Sequence, residues 1–171
     1  MKKRIYAAVL IAALVCGASA CDGGSKPAET AATAGEAAVQ NVSATASEIT
    51  AAVLESVPIN SAFEKSFDSL PDYFDGLDTA TLIDQSYYMC ASGAYPDEIA
   101  VFRFGNSEDA AAAVPAVNDR LEYQKKTYKD YTPEEYYKLE GAIVSQSGEW
   151  VYYIVTSDNS AAEGIIKGYL G

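Results

Sequence analysis

The chain carries 13 tyrosines and 24 acidic side chains but no histidine. The missing imidazole excludes Ser-His-Asp and Cys-His nucleophilic catalysis, and imidazole-ligated zinc with them. Serine is no better equipped, because neither a Gly-x-Ser-x-Gly elbow nor a Ser-x-x-Lys motif is present. Ser66 directly follows Lys65, and sequence neighbours do not face one another on a helix. No phosphate-cradling glycine loop occurs. What remains is carboxylate chemistry. The stretch DSLPDYFDGLD, residues 68–78, places Asp68, Asp72, Asp75 and Asp78 close together. Its spacing is not that of an EF-hand, and the twelfth-position Glu is missing. Helix capping and turns account better for Asp72, Asp75 and Asp78. A carboxylate pair could hydrolyse a glycoside, but so small a domain shows no sign of a deep cleft. The expectation is a chain without catalytic residues, metal or cofactor.

The tyrosines suggest binding instead. They pair at Tyr87-Tyr88, Tyr136-Tyr137 and Tyr152-Tyr153. On a strand such a pair splits across the sheet, so Trp150, Tyr152 and Ile154 share one face, and Val151, Tyr153 and Val155 the other. If helices cover a single face, the second face exposes aromatics. Trp150, Tyr152 and Tyr153 are then the candidate contacts for a glycan or peptide. The alternative is that all three pack in the core.

The elements that must position these residues are legible from period and punctuation. Thr45 with Glu48 has capping-box spacing, and Ile49, Val53 and Val57 line one helical face before Pro58. Ser61 with Glu64 repeats that spacing, and Phe63, Phe67 and Leu70 predict a second helix stopped by Pro71. A turn at Asp75-Gly76 and a helical turn opened by Asp78 follow. Residues 87–92 and 98–104 predict a hairpin, the second strand apolar on both faces at its centre and therefore interior. A long helix is expected over about residues 107–130. Ala110, Val114, Val117 and Leu121 share a face, and the polar run EYQKKTYKD should be solvated. Pro115 interrupts it, at a cost of roughly 3 kcal/mol in a helix interior. Thr132-Pro133-Glu134-Glu135 restarts a short helix to Glu140. A second hairpin crosses Ser147-Gly148, and Ser160 with Glu163 caps a last helix. This order predicts an α+β fold: an antiparallel sheet of about four strands from two hairpins, with helices packed on one face.

The N-terminus addresses location. Lys2, Lys3 and Arg4 precede an apolar run, Ile5 to Val15, and a small-residue zone, Ala18-Ser19-Ala20. The run is too short to span a membrane, so residues 1–20 read as a lipoprotein signal peptide. Cys21, directly after the cut, is the expected lipidation site; Cys16 fails because Val15 before it is too large. Ala-x-Ala also suits ordinary secretory cleavage at the same bond. Residues 21–45 are rich in Gly, Ala, Ser and Thr and read as a lipidated cysteine and flexible tether to a single domain, residues 46–171. With only Cys21 and Cys90 left after cleavage, no disulfide framework forms, and Cys90 reads as a small buried residue. The net charge of −12, more negative still once the basic N-terminus is removed, repels nucleic acid.

The run PDEIAVFRF, the long helix after it, and YTPEEYYKLEGAIVSQSGEWVYYIVTSD resemble a family of small surface lipoproteins of Gram-positive, clostridial-type bacteria, known as a domain of unknown function. The resemblant motifs are Asp97–Phe104, Tyr131–Glu134, Leu139–Ala142 and Gly148–Asp158, and the likeness runs over about residues 47–170. It implies the fold, the envelope location and an accessory role, and carries no catalytic residue. The expectation is therefore an extracytoplasmic lipoprotein, anchored in the membrane through Cys21, that binds an envelope protein or polysaccharide. The alternatives are a small carboxylate-dependent hydrolase and a structural spacer.

Overall fold

The structure, a computed structural model, describes residues 44–171. The expected signal peptide, Cys21 and nearly all of the expected tether lie outside the described residues.

Local chemistry sets the helix starts. Helix α1 (Ala46–Ser56) begins at the predicted capping box: the Glu48 amide donates to Thr45 Oγ1, and the Thr45 amide donates to Glu48 Oε2 at 2.8 Å. Ala46, Ile49, Thr50 and Val53 form its buried stripe. Strand β1 (Ala62–Glu64) stands where the second helix was expected. Ser61, the expected cap, takes a positive φ of 50°, and residues 62–64 pair with β2 instead. The helical spacing of Phe63, Phe67 and Leu70 is met only by a 3₁₀ turn over Phe67–Ser69 and by α2 (Leu70–Tyr73), whose first turn holds Pro71 rather than ending at it. Gly76 supplies the turn at φ 79°, and Asp78 accepts from the Ala80 amide at 3.0 Å to open a 3₁₀ turn over Thr79–Thr81.

Strands β2 (Leu82–Cys90) and β3 (Glu98–Phe104) form the first hairpin. Helix α3 (Ser107–Tyr131) runs through Pro115 and starts at Asn106, whose side chain accepts from the Glu108 and Asp109 amides. Its polar second half is not simply solvated, since Gln124 and Tyr128 are buried. A 3₁₀ turn over Pro133–Glu135 leads to α4 (Tyr137–Glu140); Thr132 makes no capping bond there, contrary to the restart signal. Strands β4 (Ile143–Ser147) and β5 (Trp150–Val155) form the second hairpin, with Gly148 at φ 57° in its tight turn. Helix α5 (Asn159–Leu170) is capped by Asp158, which accepts from the Ala161 amide, rather than by Ser160.

The α+β class holds, with two refinements. The antiparallel sheet has five strands in the order β1-β2-β3-β5-β4, because β1 adds to the edge of the first hairpin. The helices cover both faces rather than one. α3, with α2 and α4, packs over Tyr87, Ala100, Phe102, Val151 and Tyr153. α1 and α5 pack over Ile99, Val101, Trp150, Tyr152 and Ile154. β3 and β5, with neighbours on both sides and helices above and below, are buried almost throughout. Each large aliphatic side chain so buried contributes roughly 1.5–3 kcal/mol.

Candidate functional site

The two-sided cover decides the fate of the aromatic candidates. Trp150 and Tyr152 do share a face, and Tyr153 lies on the other, but all three are buried. Trp150 and Tyr152 sit beneath α1 and α5, where the Tyr152 hydroxyl donates to Glu163 Oε1 at 3.2 Å. An open aromatic platform on the sheet is thereby ruled out; these rings are core.

The α3 side of the sheet carries the unusual chemistry. Glu98 lies on the same face of β3 as Ala100, Phe102 and Phe104, and is 1% exposed. Such a carboxylate needs partners. Arg120 supplies a two-pronged contact, Nε donating to Glu98 Oε2 at 3.1 Å and Nη2 to Oε1. Gln124, one helical turn on, donates to Glu98 Oε1 at 2.8 Å. Small Ala100 lies between Tyr87 and Tyr153 in the cross-strand row. Both tyrosine hydroxyls lie against the Glu98 carboxylate, close enough to favour its charge, although neither meets it in good hydrogen-bond geometry. Burial holds the Glu98 carboxyl above the usual carboxylate range, and Arg120 pulls it back without cancelling that effect. Burial disfavours the Arg120 charge too, yet Glu98 raises its pKa beyond the ordinary value. Burial and the Glu98 charge together push the Tyr87 and Tyr153 hydroxyls upward, so both stay protonated.

A second buried pair stands next in sequence. Lys138 Nζ reaches Asp97 Oδ2 at 2.7 Å and Glu135 Oε2 at 2.6 Å. Burial works against its charge, but these carboxylates carry its pKa above the usual lysine value. The Tyr128 hydroxyl donates to the Gly93 and Tyr95 carbonyls at 3.0 Å and so ties α3 to the β2–β3 loop.

Arg120 links the interior to the surface. Its guanidinium carbon stands 5.2 Å from the Tyr73 ring centroid and 5.5 Å from that of Tyr123. These residues, with Asp72, Asp75 and Asp119, line a hollow of about 390 Å³ between α2 and α3. That volume suits a small ligand or one unit of a larger one. The three aspartates form no salt bridge among the described residues. Of the acidic stretch, then, Asp78 is a cap as expected, while Asp72 and Asp75 face this hollow. Among the described residues no group of three His, Cys, Asp or Glu side chains is arranged to hold a metal ion. Two other hollows are less suited. One of about 120 Å³ near Gly76 is too small, and one of about 450 Å³ beside α1 is lined mainly by Ala and Glu.

A family profile described as Domain of unknown function (DUF4358) matches residues 60–156. The chain belongs to that family. No curated protein and no solved structure matches it. The DUF4358 span holds all five strands, both buried ion pairs and the hollow, whereas α1 and α5 lie outside it. Sequence reading did not find the Glu98–Arg120 site, although a signal existed. A carboxylate in phase with the apolar face of a strand, and Arg120 in phase with Ala113, Val117 and Gln124 on α3, both point inward. Cys90 is buried with a free thiol, as its surroundings in sequence suggested.

Proposed function

We propose that this DUF4358 protein is an extracytoplasmic, membrane-anchored module that binds an envelope component without catalysis, and that its ligand site is the hollow between α2 and α3. One observation carries the reading: the floor of the hollow is an arginine locked by a buried carboxylate, flanked by the exposed ring of Tyr123 and by aspartates that pair with no cation among the described residues. A site built on a rigid buried pair is preorganised, which lowers the ordering cost of binding. The Glu98 carboxylate is committed to Arg120 and Gln124, so it is a positioning group and not a general acid or base. The N-terminal LVCGASACDGG, together with the lipoprotein-like sequence motifs, supports anchoring through Cys21.

Two measurements test this. The N-terminal peptide of the membrane-purified protein should carry a diacylglyceryl mass on Cys21, and Cys21→Ala should move the protein to the medium. Full-length protein should be retained on isolated envelope material of the producing cell, and Tyr123→Ala should abolish most of that retention. Equal retention of the variant would show that the hollow is not the site.

A further inference from the structure

We infer that the hollow takes one ring of a neutral oligosaccharide and that the bound chain continues toward the sheet edge at Phe63. The inference rests on the binding reading above and names its ligand class. Three features of the surface lead to it.

The hollow presents charges of both signs at close quarters. Arg120 uses Nε and Nη2 on Glu98, which leaves Nη1 as a further donor on the guanidinium. Asp72, Asp75 and Asp119 add acceptors around the hollow. An anionic ligand would meet three carboxylates on a chain of net charge −12. A cationic ligand would meet a guanidinium already placed against the faces of Tyr73 and Tyr123. A neutral polyol satisfies both sets, because each hydroxyl donates to a carboxylate and accepts from the arginine.

The rings are unequal. Tyr73 is half-buried and carries Lys65 at 4.5 Å as well as Arg120, so it acts as a fixed wall. Tyr123 is 60% exposed, which leaves ring surface for the apolar side of a pyranose.

The surface also has a direction. Lys65 Nζ lies 5.1 Å from the Phe63 ring centroid, and Phe63 is exposed on the edge strand β1. Rings and cations thus alternate from Tyr123 on α3 through buried Arg120 and half-buried Tyr73 to Lys65 and the exposed Phe63 at the sheet edge. A single sugar would fill the hollow, and only a longer chain would reach Phe63.

The test is titration of full-length protein in detergent with neutral hexasaccharides of glucose, mannose, galactose and N-acetylglucosamine, each beside its monosaccharide. Binding by at least one hexasaccharide, more tightly than by its monosaccharide, is expected. Tyr123→Ala should weaken both by about tenfold or more, in line with the loss of one stacked ring. Phe63→Ala should weaken only the hexasaccharide, and Tyr169→Ala, at an exposed ring elsewhere, should change neither. No binding by any neutral sugar, or binding indifferent to Tyr123→Ala, overturns the inference. Oligolysine binding in place of sugars, and lost in Tyr123→Ala, would overturn the sugar but leave the hollow as a ligand site. Envelope retention indifferent to Tyr123→Ala would remove the site itself.

Discussion

On the α1/α5 side of the sheet, Ile99, Val101, Trp150, Tyr152 and Ile154 meet Ile49, Val53, Ile166 and Leu170. The buried polar groups there are few and satisfied: Thr50 Oγ1 and Ser86 Oγ lie 2.7 Å apart, and Thr50 also donates to the Ala46 carbonyl. On the α3 side the core is equally buried, yet it holds the Glu98–Arg120–Gln124 cluster and two tyrosine hydroxyls pressed against Glu98 without good hydrogen-bond geometry. The first face is a cover, held by area removed from water. The second contains charges whose desolvation cost is comparable to their mutual attraction, so stability alone does not explain them. The family match takes in both faces of the sheet and the α3 layer, and omits only the covering helices α1 and α5.

Breaking the polar face should produce the largest change. Arg120→Met leaves Glu98 buried without its counter-charge and should cost about 3–5 kcal/mol in urea unfolding. The double variant Glu98→Leu/Arg120→Met should recover most of that loss or exceed the parent stability, while losing ligand binding. A double variant as unstable as the single one would mean that the pair serves the fold.

Ile166→Ala, at a fully buried position of α5, should cost roughly 3 kcal/mol through lost transfer energy and a cavity. Ligand binding should be unaffected, because the residue lies on the other side of the sheet from the hollow. Coupled loss of binding would erase the distinction between the faces.

A smaller change is expected with pH. The Glu98 carboxyl is raised in the folded protein, so its contribution to stability is present below the ordinary value near 4.5 and is lost as pH rises through its folded value. Measured against Glu98→Gln, the parent protein should therefore lose ground as pH rises through the range above the ordinary carboxylate value. A flat difference across that range would show that Arg120 fully offsets burial.

Thr45→Ala removes one half of the α1 capping box and should cost about 1 kcal/mol, visible as a small shift in the thermal midpoint. Because Thr45 opens the covering layer, no effect on binding is expected.

Much of the fold was legible in the chain. The capping box at Thr45 and Glu48, the span of β3, the long helix from Ser107 and the turn at Gly148 all depend on interactions within a few residues, and the pattern of side chains reports those directly. The division of Trp150, Tyr152 and Ile154 from Val151, Tyr153 and Val155 followed from strand alternation, and the two core clusters sort these residues in that way. The short edge strand was misread as a helix because three residues carry little periodic signal, and β1 exists only through its pairing with β2.

The site was scarcely legible, and the reason is distance along the chain. Glu98 and Arg120 are 22 residues apart, and Lys138 meets Asp97 across 41. An inward-facing charge is readable from its phase on a strand or helix, but its partner is chosen by how those elements dock. A helix's apolar stripe requires burial without naming the sheet face that buries it. Local periodicity was thus sufficient for an α+β chain with an alternating aromatic strand. Whether those aromatics met solvent or core, and which acidic residues met an arginine, depended on α1 and α5 closing over one face while α3 closed over the other.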